Sequence, residues 1–248
     1  MQGLGRIIID EKAETGKSYT LGKEGVNALA FWEARAGEAV TVSDAGDRLY
    51  RARLIDTGGK TGTRIYVFEE MGEAKNGPEI TLLQALPEKE RMELIIQKAA
   101  ELGVNAIVPF KSQRSISLEE RDSRQKKAHK WQDVARRASK QSRSEFIPLI
   151  HPYCPFADAL DISKGASLKI ALWERPGIRL IKDILSDSKK DRIGKAAILV
   201  GPEGGLEGEE MNLAIKAGFS PASLGRRILR TETAAIMAVG LLRYELAS

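Results

Sequence analysis

The stretch "LVGPEGGLEGEEM", residues 199–211, joins an apolar segment to acidic, helix-prone residues through a turn rich in glycine. Four glycines fall within eight residues: Gly201, Gly204, Gly205 and Gly208. A simple turn needs one or two glycines, so four indicate backbone that passes close to a ligand or to another segment of the chain. The stretch has neither the G-x-G-x-x-G spacing of dinucleotide sites nor the Lys-Ser/Thr of a P-loop, which argues against both kinds of phosphate site.

A second segment, "LGRRILRTETA" at residues 224–234, combines a glycine turn with clustered cations. Its arginines are Arg226, Arg227 and Arg230. A guanidinium forms bidentate hydrogen bonds with phosphate, so these arginines either hold phosphates or form a solvated face. Thr231 and Thr233 are candidate caps for the helix that follows, and Glu232 in its first turn suits the helix dipole.

A third cluster is strongly basic. Eight lysines and arginines oppose one acid, Asp133, over residues 124–143: Arg124, Lys126, Lys127, Lys130, Arg136, Arg137, Lys140 and Arg143. A continuous helix here would place 136, 140 and 143 on one face. A charge run is commonly a solvated face, but its single sign favours contacts with RNA phosphates. The RNA contacts predicted from the sequence are Arg114, Arg136, Arg137, Lys140, Arg143 and Arg226.

Composition sets the broad class of protein. The chain has 248 residues, 42% of them hydrophobic and 29% charged, which is typical of a soluble globular protein. A formal net charge of +5 mildly favours a polyanionic partner. The single cysteine, Cys154, excludes an intramolecular disulfide, and its spacing from His129 and His151 is not that of metal ligands. We find no signal peptide or membrane span and expect a cytoplasmic protein that binds no metal.

The elements that must position these clusters fall into two regions. Residues 1–72 contain four short strand patterns, "GRIIID", "EAVTVSD", "RLYRARLID" and "TRIYVFEE", and predict a small β-barrel. Residues 73–248 alternate strands with helices, which predicts a mostly parallel sheet covered on both faces. The first predicted helix lies in "PEKERMELIIQKAAELG", residues 87–103, with Pro87 in its first turn and the final glycine, Gly103, at the position after its end. Ligands bind beyond the carboxyl ends of such strands, where "LWERPG", "VGPEGG" and "LGRRILRTETA" begin.

Three separated motifs, "QKAAELGVNAIVPFKSQRS", "VGPEGGL" and "SLGRRILRTETAA", resemble those of SPOUT-class methyltransferases. They are most similar to the family that methylates N3 of uridine in bacterial 16S ribosomal RNA, over about residues 79–245. The resemblance implies an α/β fold with a deep trefoil knot, a rare exception to unknotted chains, and a small N-terminal PUA-like β-barrel that binds RNA. It also implies a homodimer with 16S rRNA of the small ribosomal subunit as substrate.

The resemblance further implies that the knot binds S-adenosylmethionine in a bent form. Carried over residue by residue, the cofactor site comprises Leu172, Glu174, Val200, Gly201, Gly205, Leu224, Gly225, Ile228 and Leu229. For catalysis we predict that Arg230 stabilises the uridine anion as N3–H leaves, and that Glu203 or Glu232 accepts the proton.

The chain departs from the family pattern in the N-terminal region. The stretch "VNALAFWEAR" stands where histidine and arginine are usual, and Glu33 occupies a position that is commonly basic. "KSQRS" replaces the more common "SERS". Two alternative functions stay open: a methyltransferase acting on a ribose 2′-oxygen or on tRNA, and a non-enzymatic RNA-binding factor of ribosome assembly.

The final helix, 231–246, is apolar nearly all round. This exceeds what packing against one sheet face requires, and it predicts a partner surface. A helix buried within its own domain is the alternative. The SPOUT resemblance favours the homodimer, because such domains pair through helices associated with the knot.

Overall fold

The computed structural model describes residues 4–58, 62–73, 77–87, 91–115, 128–188 and 193–246. The chain divides into two compact units. The smaller comprises Gln2–Asn76 with Arg136–Pro148, and the larger comprises Gly77–Ala135 with Leu149–Ser248. Within the described ranges, no helix has both the length and the apolar character to cross a bilayer.

The smaller unit is built on a five-stranded sheet. Its elements are β1 (Ile7–Ile8), β2 (Ser18–Thr20), α1 (Lys23–Trp32), β3 (Ala39–Ser43), β4 (Arg48–Thr57) and β5 (Thr63–Glu73). The strand order is β1-β3-β4-β5-β2, antiparallel except for the β1–β3 pair. All four predicted strands are present, and β5 extends past residue 72, where the sequence-based boundary was placed. Along β4 and β5, alternate residues are buried, so one face of the sheet forms the core.

Helix α1 was not predicted. Gly25, Ala28, Leu29 and Trp32 are its buried residues, and their spacing is helical. The strand patterns on both sides hid this periodicity, and the N-cap residue, Gly22, has no side-chain oxygen of the kind that marks a helix start in a sequence. Glu33 follows the last turn with a left-handed φ of 44°.

A buried carboxylate organises the β3–β4 turn. Asp44 accepts backbone hydrogen bonds from Ala13 at 3.1 Å, Gly46 at 2.8 Å and Arg48 at 3.0 Å. Burial by itself would raise the pKa of Asp44, but these donors favour the carboxylate and hold the pKa below its usual value. The ionised side chain therefore stabilises the folded smaller unit.

We expect Asp44→Asn to lower the free energy of unfolding by about 1–3 kcal/mol, because charge-assisted hydrogen bonds are replaced by weaker ones. The pKa of Asp44 is depressed in the folded state, so its contribution is present above the unfolded-state pKa. It is lost as pH falls through the folded-state pKa. Urea denaturation from about pH 7 down to about pH 3, a range that includes the usual pKa of an aspartate, measures both effects. Asp47→Asn, at an exposed neighbour in the same turn, should change neither.

The larger unit contains the α/β sheet. Its elements are β6 (Glu79–Ala85), α2 (Met92–Glu101), β7 (Ala106–Lys111), the first residues of α3 (Trp131–Gln141), β8 (Leu149–Ile150), β9 (Cys154–Pro155), α4 (Phe156–Ile162), β10 (Leu168–Leu172), α5 (Ile181–Ser188), β11 (Lys195–Val200), α6 (Gly208–Lys216), β12 (Ser220–Ala222) and α7 (Thr231–Leu246); from Arg136 onward, α3 belongs to the smaller unit. The strand order is β12-β10-β11-β6-β7-β8, with β9 also on β7. All these pairings are parallel, as predicted.

Helices cover both faces of this sheet. On one face, α7 packs against α2, β6 and β11. On the other, Phe156 and Leu160 of α4 and Met211 of α6 join a cluster with Leu83 and Leu199 of the sheet. Covered on both sides, β6 and β11 are apolar runs without alternation, which is why their sequences predicted central parallel strands.

Two helix boundaries differ from the predictions. Helix α2 begins at Met92, so Pro87 precedes the helix and does not occupy its first turn. Gly103 follows the end of α2 with a φ of 79°, as predicted. Helix α3 begins at Trp131 after a short 3-10 turn over 128–130 and ends at Gln141.

The end of α3 changes the interpretation of the basic segment. Arg143 lies beyond the helix with a left-handed φ of 58°, so it does not share a helical face with Arg136 and Lys140. The cations Arg124, Lys126 and Lys127 lie outside the described residues.

Candidate active site

A cavity of about 680 Å³ opens in the larger unit where β10 and β11 end and α7 begins. The lining residues come from the ends of these two strands and the segments that follow them, from the segment before α7 and its first turn, and from one residue after β7: Arg114, Leu172, Trp173, Glu174, Arg175, Pro176, Val200, Gly201, Pro202, Glu203, Gly204, Gly205, Leu206, Ile228, Leu229, Arg230, Thr231 and Ala234. The volume is that of a typical small-molecule site, at the sheet edge expected for one.

Seven of the nine predicted cofactor residues line this cavity: Leu172, Glu174, Val200, Gly201, Gly205, Ile228 and Leu229. The other two, Leu224 and Gly225, are not among the lining residues. Gly225 has a φ of 127° and exchanges hydrogen bonds with the Ser223 hydroxyl, so it shapes the turn that leads to the cavity. The Glu174 carboxylate accepts a hydrogen bond from the Leu229 amide at 3.3 Å, which joins two walls of the cavity.

The glycines between 201 and 208 have different physical roles. A Cβ on Gly201 would lie 3.0 Å from the Leu206 amide nitrogen, so this residue permits a close backbone approach. Gly205 has open space around it but adopts a φ of 71°, so its requirement is conformational. A Cβ on Gly204 would contact Arg114 at 3.2 Å, and one on Gly208 would meet nothing within 4 Å. Gly201, Gly204 and Gly205 thus meet separate local requirements, whereas neither a close contact nor a left-handed φ is found at Gly208.

Arg114, which the sequence analysis placed among RNA contacts, lies on the cavity wall. Its Nε donates to the Glu207 carboxylate at 2.6 Å and its Nη1 donates to the Gly204 carbonyl. The backbone N–H of the neighbouring residue, Gln113, donates to the Glu210 carboxylate at 2.9 Å. Glu210 is buried and also closes a capping box with Glu207 at the start of α6. The residues after β7 therefore hold the glycine loop, residues 201–208, in place through hydrogen bonds.

The first residue of α7 is fixed to the same loop. The Thr231 hydroxyl donates to the Gly201 carbonyl at 2.6 Å and accepts from the Gln84 amide at 3.0 Å. The sequence predicts Thr231 as a helix cap, but its hydroxyl connects the carboxyl ends of β6 and β11 to the start of α7. Gln84 is fully buried, so this connection lies in a low-dielectric environment where an unmade hydrogen bond is costly.

We expect Thr231→Val to lower the free energy of unfolding by about 1–3 kcal/mol and to weaken ligand binding in the cavity. Valine keeps the shape of the side chain but leaves a buried carbonyl and a buried amide with fewer partners. Urea denaturation and calorimetric titration measure the two effects. Thr233→Val is the matched control, because Thr233 is exposed on the same helix turn. Equal stability of the two variants would contradict the assignment.

The predicted catalytic residues occupy two environments. Arg230 and Glu203 both line the cavity, and Arg230 is exposed. Glu232 is buried and does not line it; its carboxylate accepts a hydrogen bond from Arg91 at 3.0 Å. The Arg91 guanidinium also lies 4.0 Å from Glu203, so it links both carboxylates. Sequence reasoning missed Arg91, because its role depends on two acids more than 100 residues away.

Three of the cations predicted to contact RNA lie close to acidic side chains of the smaller unit. Arg136 pairs with Glu33, and Lys140 lies 2.9 Å from Glu38. Arg143 is 3.7 Å from Glu69, with its side chain largely exposed. Arg137 is exposed. The acid at position 33, a departure from the family pattern, thus has a local partner. The remaining residue predicted to contact RNA, Arg226, is exposed and lies two residues before Ile228, which lines the cavity.

Trp173 and Arg175 are among the lining residues that were not predicted as site residues. The Arg175 guanidinium lies over the Trp173 ring, 5.4 Å from its centroid. Trp173 also packs against the sheet core, and its amide donates to the Ala222 carbonyl at 2.9 Å. The apolar run of the sequence marks Trp173 as the end of a strand, and nothing in the sequence alone indicates that Trp173 lines a cavity.

Comparison with known proteins decides the family. The sequence profile of the RNA methyltransferase domain matches residues 74–243. The chain belongs to this RNA methyltransferase family. The resemblance inferred from the three motifs is therefore confirmed. The matched residues include the whole wall of the cavity, so the site described above is part of the family's domain.

Relatives extend the match to the smaller unit. A Mycobacterium bovis protein named ribosomal RNA small subunit methyltransferase E is 30% identical over 240 residues, covering 94% of this chain and 89% of the relative. A protein of the same name from Mesomycoplasma hyopneumoniae is 33% identical, covering 77% of this chain and 79% of the relative.

Solved structures of the family share the fold. The Neisseria gonorrhoeae ribosomal RNA small subunit methyltransferase E, crystallised with S-adenosyl methionine, superposes with a TM-score of 0.65 at 30% identity, covering 97% of each chain. A putative methyltransferase from Legionella pneumophila, in complex with the same cofactor, gives 0.63 at 27% identity, again covering 97% of each chain.

Proposed function

We propose that this protein transfers a methyl group from S-adenosylmethionine to N3 of a uridine in 16S rRNA of the small ribosomal subunit. The observation that carries the proposal is the cavity at the carboxyl edge of the parallel sheet, formed by residues of the RNA methyltransferase domain. The named relatives and the cofactor-bound neighbours support the substrate class and the cofactor. The choice of N3 of uridine as the methylated atom rests on the resemblance of the three sequence motifs.

The residues of the cavity fit S-adenosylmethionine. Its walls carry the apolar side chains of Leu172, Val200 and Leu206 against which a purine can pack. The close approach at Gly201 and the left-handed turn at Gly205 leave backbone groups without side-chain cover. Such a cradle suits adenine and ribose, which are recognised by hydrogen bonds to backbone amides and carbonyls. The carboxylate of Glu203 suits a cationic ligand.

The bound cofactor supplies an activated methyl group, because its sulfonium is already a good leaving group. The chain's own residues must then orient the uridine and remove its N3 proton. We assign to Arg230, which is exposed on the cavity wall, the stabilisation of negative charge that develops on the uracil ring. Glu203, on the same wall, is our candidate for proton acceptor. N3 lies on the Watson–Crick edge, so the uridine must be unpaired to enter.

Glu232 is assigned a positioning role. Its carboxylate is bonded to Arg91 and lies outside the cavity wall, which places it poorly for contact with substrate. It sits in the first turn of α7, where a negative charge is stabilised by the helix dipole. The Arg91–Glu232 pair thus anchors the start of α7 beside Arg230 and Thr231.

We also propose that the larger unit is knotted. The chain leaves β12 at the edge of the sheet, yet α7 begins at the ends of the central strands, where Thr231 bonds to Gln84 and Gly201. On the way, Leu229 meets Glu174 of the segment after β10. This path supports threading of residues 223–230 through neighbouring loops. A crystallographic trace of residues 172–231 tests it, and a path around those loops would contradict it.

The decisive experiment combines purified protein, methyl-labelled S-adenosylmethionine and small ribosomal subunits that lack the modification. We expect labelled 3-methyluridine in the digested rRNA, identified by mass spectrometry of nucleosides. Naked rRNA, tested in parallel, distinguishes free RNA from the assembled subunit as substrate. Protein without labelled cofactor is the background control.

The alternative functions predict different products. A 2′-O-methylated nucleoside, or label in tRNA alone, would assign the same chemistry to another target. Calorimetry separates the third possibility: protein that binds small subunits but no S-adenosylmethionine would be a non-enzymatic assembly factor. Either outcome would overturn the proposed reaction.

A further inference from the structure

Arg175 lines the cavity with a guanidinium that takes no part in the proposed reaction. Of the other arginines on the wall, Arg114 is bonded to the Glu207 carboxylate and to the glycine loop, and Arg230 is assigned to the uracil ring. Arg175 is exposed, and among the residues that the structure describes no hydrogen bond or ion pair engages its guanidinium. Its N–H donors are therefore open to an anion in the cavity.

The local sequence holds the backbone of Arg175 in a defined turn. The Ile178 amide donates to the Arg175 carbonyl at 3.4 Å, which closes a four-residue turn around Pro176 and Gly177. Gly177 has a φ of 79°. Proline in the second position and a glycine with positive φ in the third are typical of a type II turn. The sequence "RPG" therefore fixes the point from which the Arg175 side chain leaves the backbone.

The side chain of Arg175 rests on an aromatic ring that is itself fixed. Its guanidinium lies 5.4 Å from the centroid of the Trp173 ring, within the range of a cation–π attraction. Trp173 packs against the sheet core, and its amide donates to the Ala222 carbonyl at 2.9 Å. The attraction to the ring consumes none of the N–H donors of the guanidinium. Arg175 is thus held in place before a ligand arrives, which lowers the entropy lost on binding.

Opposite charges stand side by side at this point of the wall. Glu174 also lines the cavity, and its bond to the Leu229 amide uses one of its two carboxylate oxygens. A carboxylate beside a guanidinium is complementary to a zwitterion, which offers an ammonium and a carboxylate. S-adenosylmethionine carries such a group, because its methionine-derived part is an α-amino acid. The glycine loop suits the adenosine end, so the charged pair matches the other end of the molecule.

We propose that Arg175 binds the carboxylate of the amino-acid part of S-adenosylmethionine and so determines the specificity of the cavity for this cofactor. The inference rests on the proposed function, which requires this cofactor. A guanidinium and a carboxylate form paired, charge-assisted hydrogen bonds, and the planar fork of arginine matches the two carboxylate oxygens. An RNA phosphate is the competing anion. Arg226 and Arg227 are exposed and do not line the cavity, so they are better placed for phosphates on the surface.

The test compares two ligands that differ only in the carboxylate. S-adenosylmethionine and decarboxylated S-adenosylmethionine are each titrated into wild-type protein and Arg175→Ala by isothermal calorimetry. We expect Arg175→Ala to weaken binding of S-adenosylmethionine roughly thirty-fold, as befits the loss of a charge-assisted pair. Its affinity for the decarboxylated ligand should stay at the wild-type level or above, because the ligand then carries only positive charge. The difference between the two ligands isolates the contact.

Two further variants separate this contact from a general effect of charge. Arg175→Lys keeps the charge but not the planar fork, and we expect it to weaken binding of S-adenosylmethionine by only about five-fold. Arg179→Ala is the matched control, because Arg179 is exposed, pairs with Asp187 at 2.6 Å and does not line the cavity. It removes the same charge from the same segment and should leave both affinities unchanged. Circular dichroism and thermal unfolding show whether each variant is folded.

The possible results discriminate between this assignment and the proposed function. Equal losses for both ligands would overturn the assignment, because the guanidinium would then act on the adenosine part or only hold Trp173 in place. Unchanged affinity of folded Arg175→Ala for S-adenosylmethionine would also overturn it, and weaker binding of small ribosomal subunits by that variant would then assign the guanidinium to an RNA phosphate. Wild-type protein that binds no S-adenosylmethionine would overturn the proposed function and the assignment together.

Discussion

Gly201→Val is expected to weaken binding of S-adenosylmethionine severely while the protein stays folded and soluble. Even the first side-chain carbon at this position would lie 3.0 Å from the Leu206 nitrogen, 3.1 Å from the Leu206 Cγ and 3.2 Å from the Gly205 carbonyl carbon. Backbone atoms cannot move aside singly, so the whole loop must shift. Losing two or three hydrogen bonds at about 1 kcal/mol each weakens binding roughly a hundred-fold.

Gly208 offers a control within the same glycine-rich stretch. A side chain there meets no atom within 4 Å, and the residue begins α6 with ordinary helical geometry. We expect Gly208→Val to keep cofactor affinity close to wild type in isothermal titration calorimetry. Thermal unfolding of both variants shows whether the core is intact. If folded Gly201→Val binds the cofactor normally, the cavity is not the cofactor site.

Met237→Asp should convert a homodimer to monomers and remove methyltransferase activity together. We propose the homodimer from the solvent-facing side of α7, where Met237 is 47% exposed and Tyr244 is 81% exposed, at helical spacing with Leu241 between them. Ile228, at the cavity, is 84% exposed and adds apolar surface. A two-fold interface is self-complementary, so one substitution introduces two buried charges, each costing several kcal/mol.

The choice of variant matters, because neighbouring positions of α7 test different properties. Val239 is fully buried within its own unit, so Val239→Asp would unfold the protein and reveal nothing about association. Leu213→Asp is the matched control: Leu213 is 50% exposed on α6, and its substitution should leave mass and activity unchanged. Light scattering at micromolar concentration gives the mass. Fully active wild-type monomer would contradict the proposed dimer.

The sequence by itself determined the architecture of the larger unit and the segments of its cavity. Central strands such as β6 and β11 are apolar runs between amphipathic helices, and this pattern is typical of a parallel sheet covered by helices on both faces. The glycine-rich and arginine-rich segments follow strands of the same sheet, so parallel topology brings them to one edge. Short elements escaped prediction: β8 and β9 have two residues each and exist through pairing with β7.

Tertiary structure alone decided which side chains meet. Sequence charge could not reveal that Arg114 braces the glycine loop through Glu207, or that Arg136 is paired with Glu33. Each of these pairs joins residues about a hundred positions apart. Similarly, Thr231 has the sequence signature of a cap, yet its hydroxyl is committed to Gly201. Local patterns specify which face of an element is buried, whereas the partner of a polar group depends on which distant backbone the fold brings within hydrogen-bonding distance.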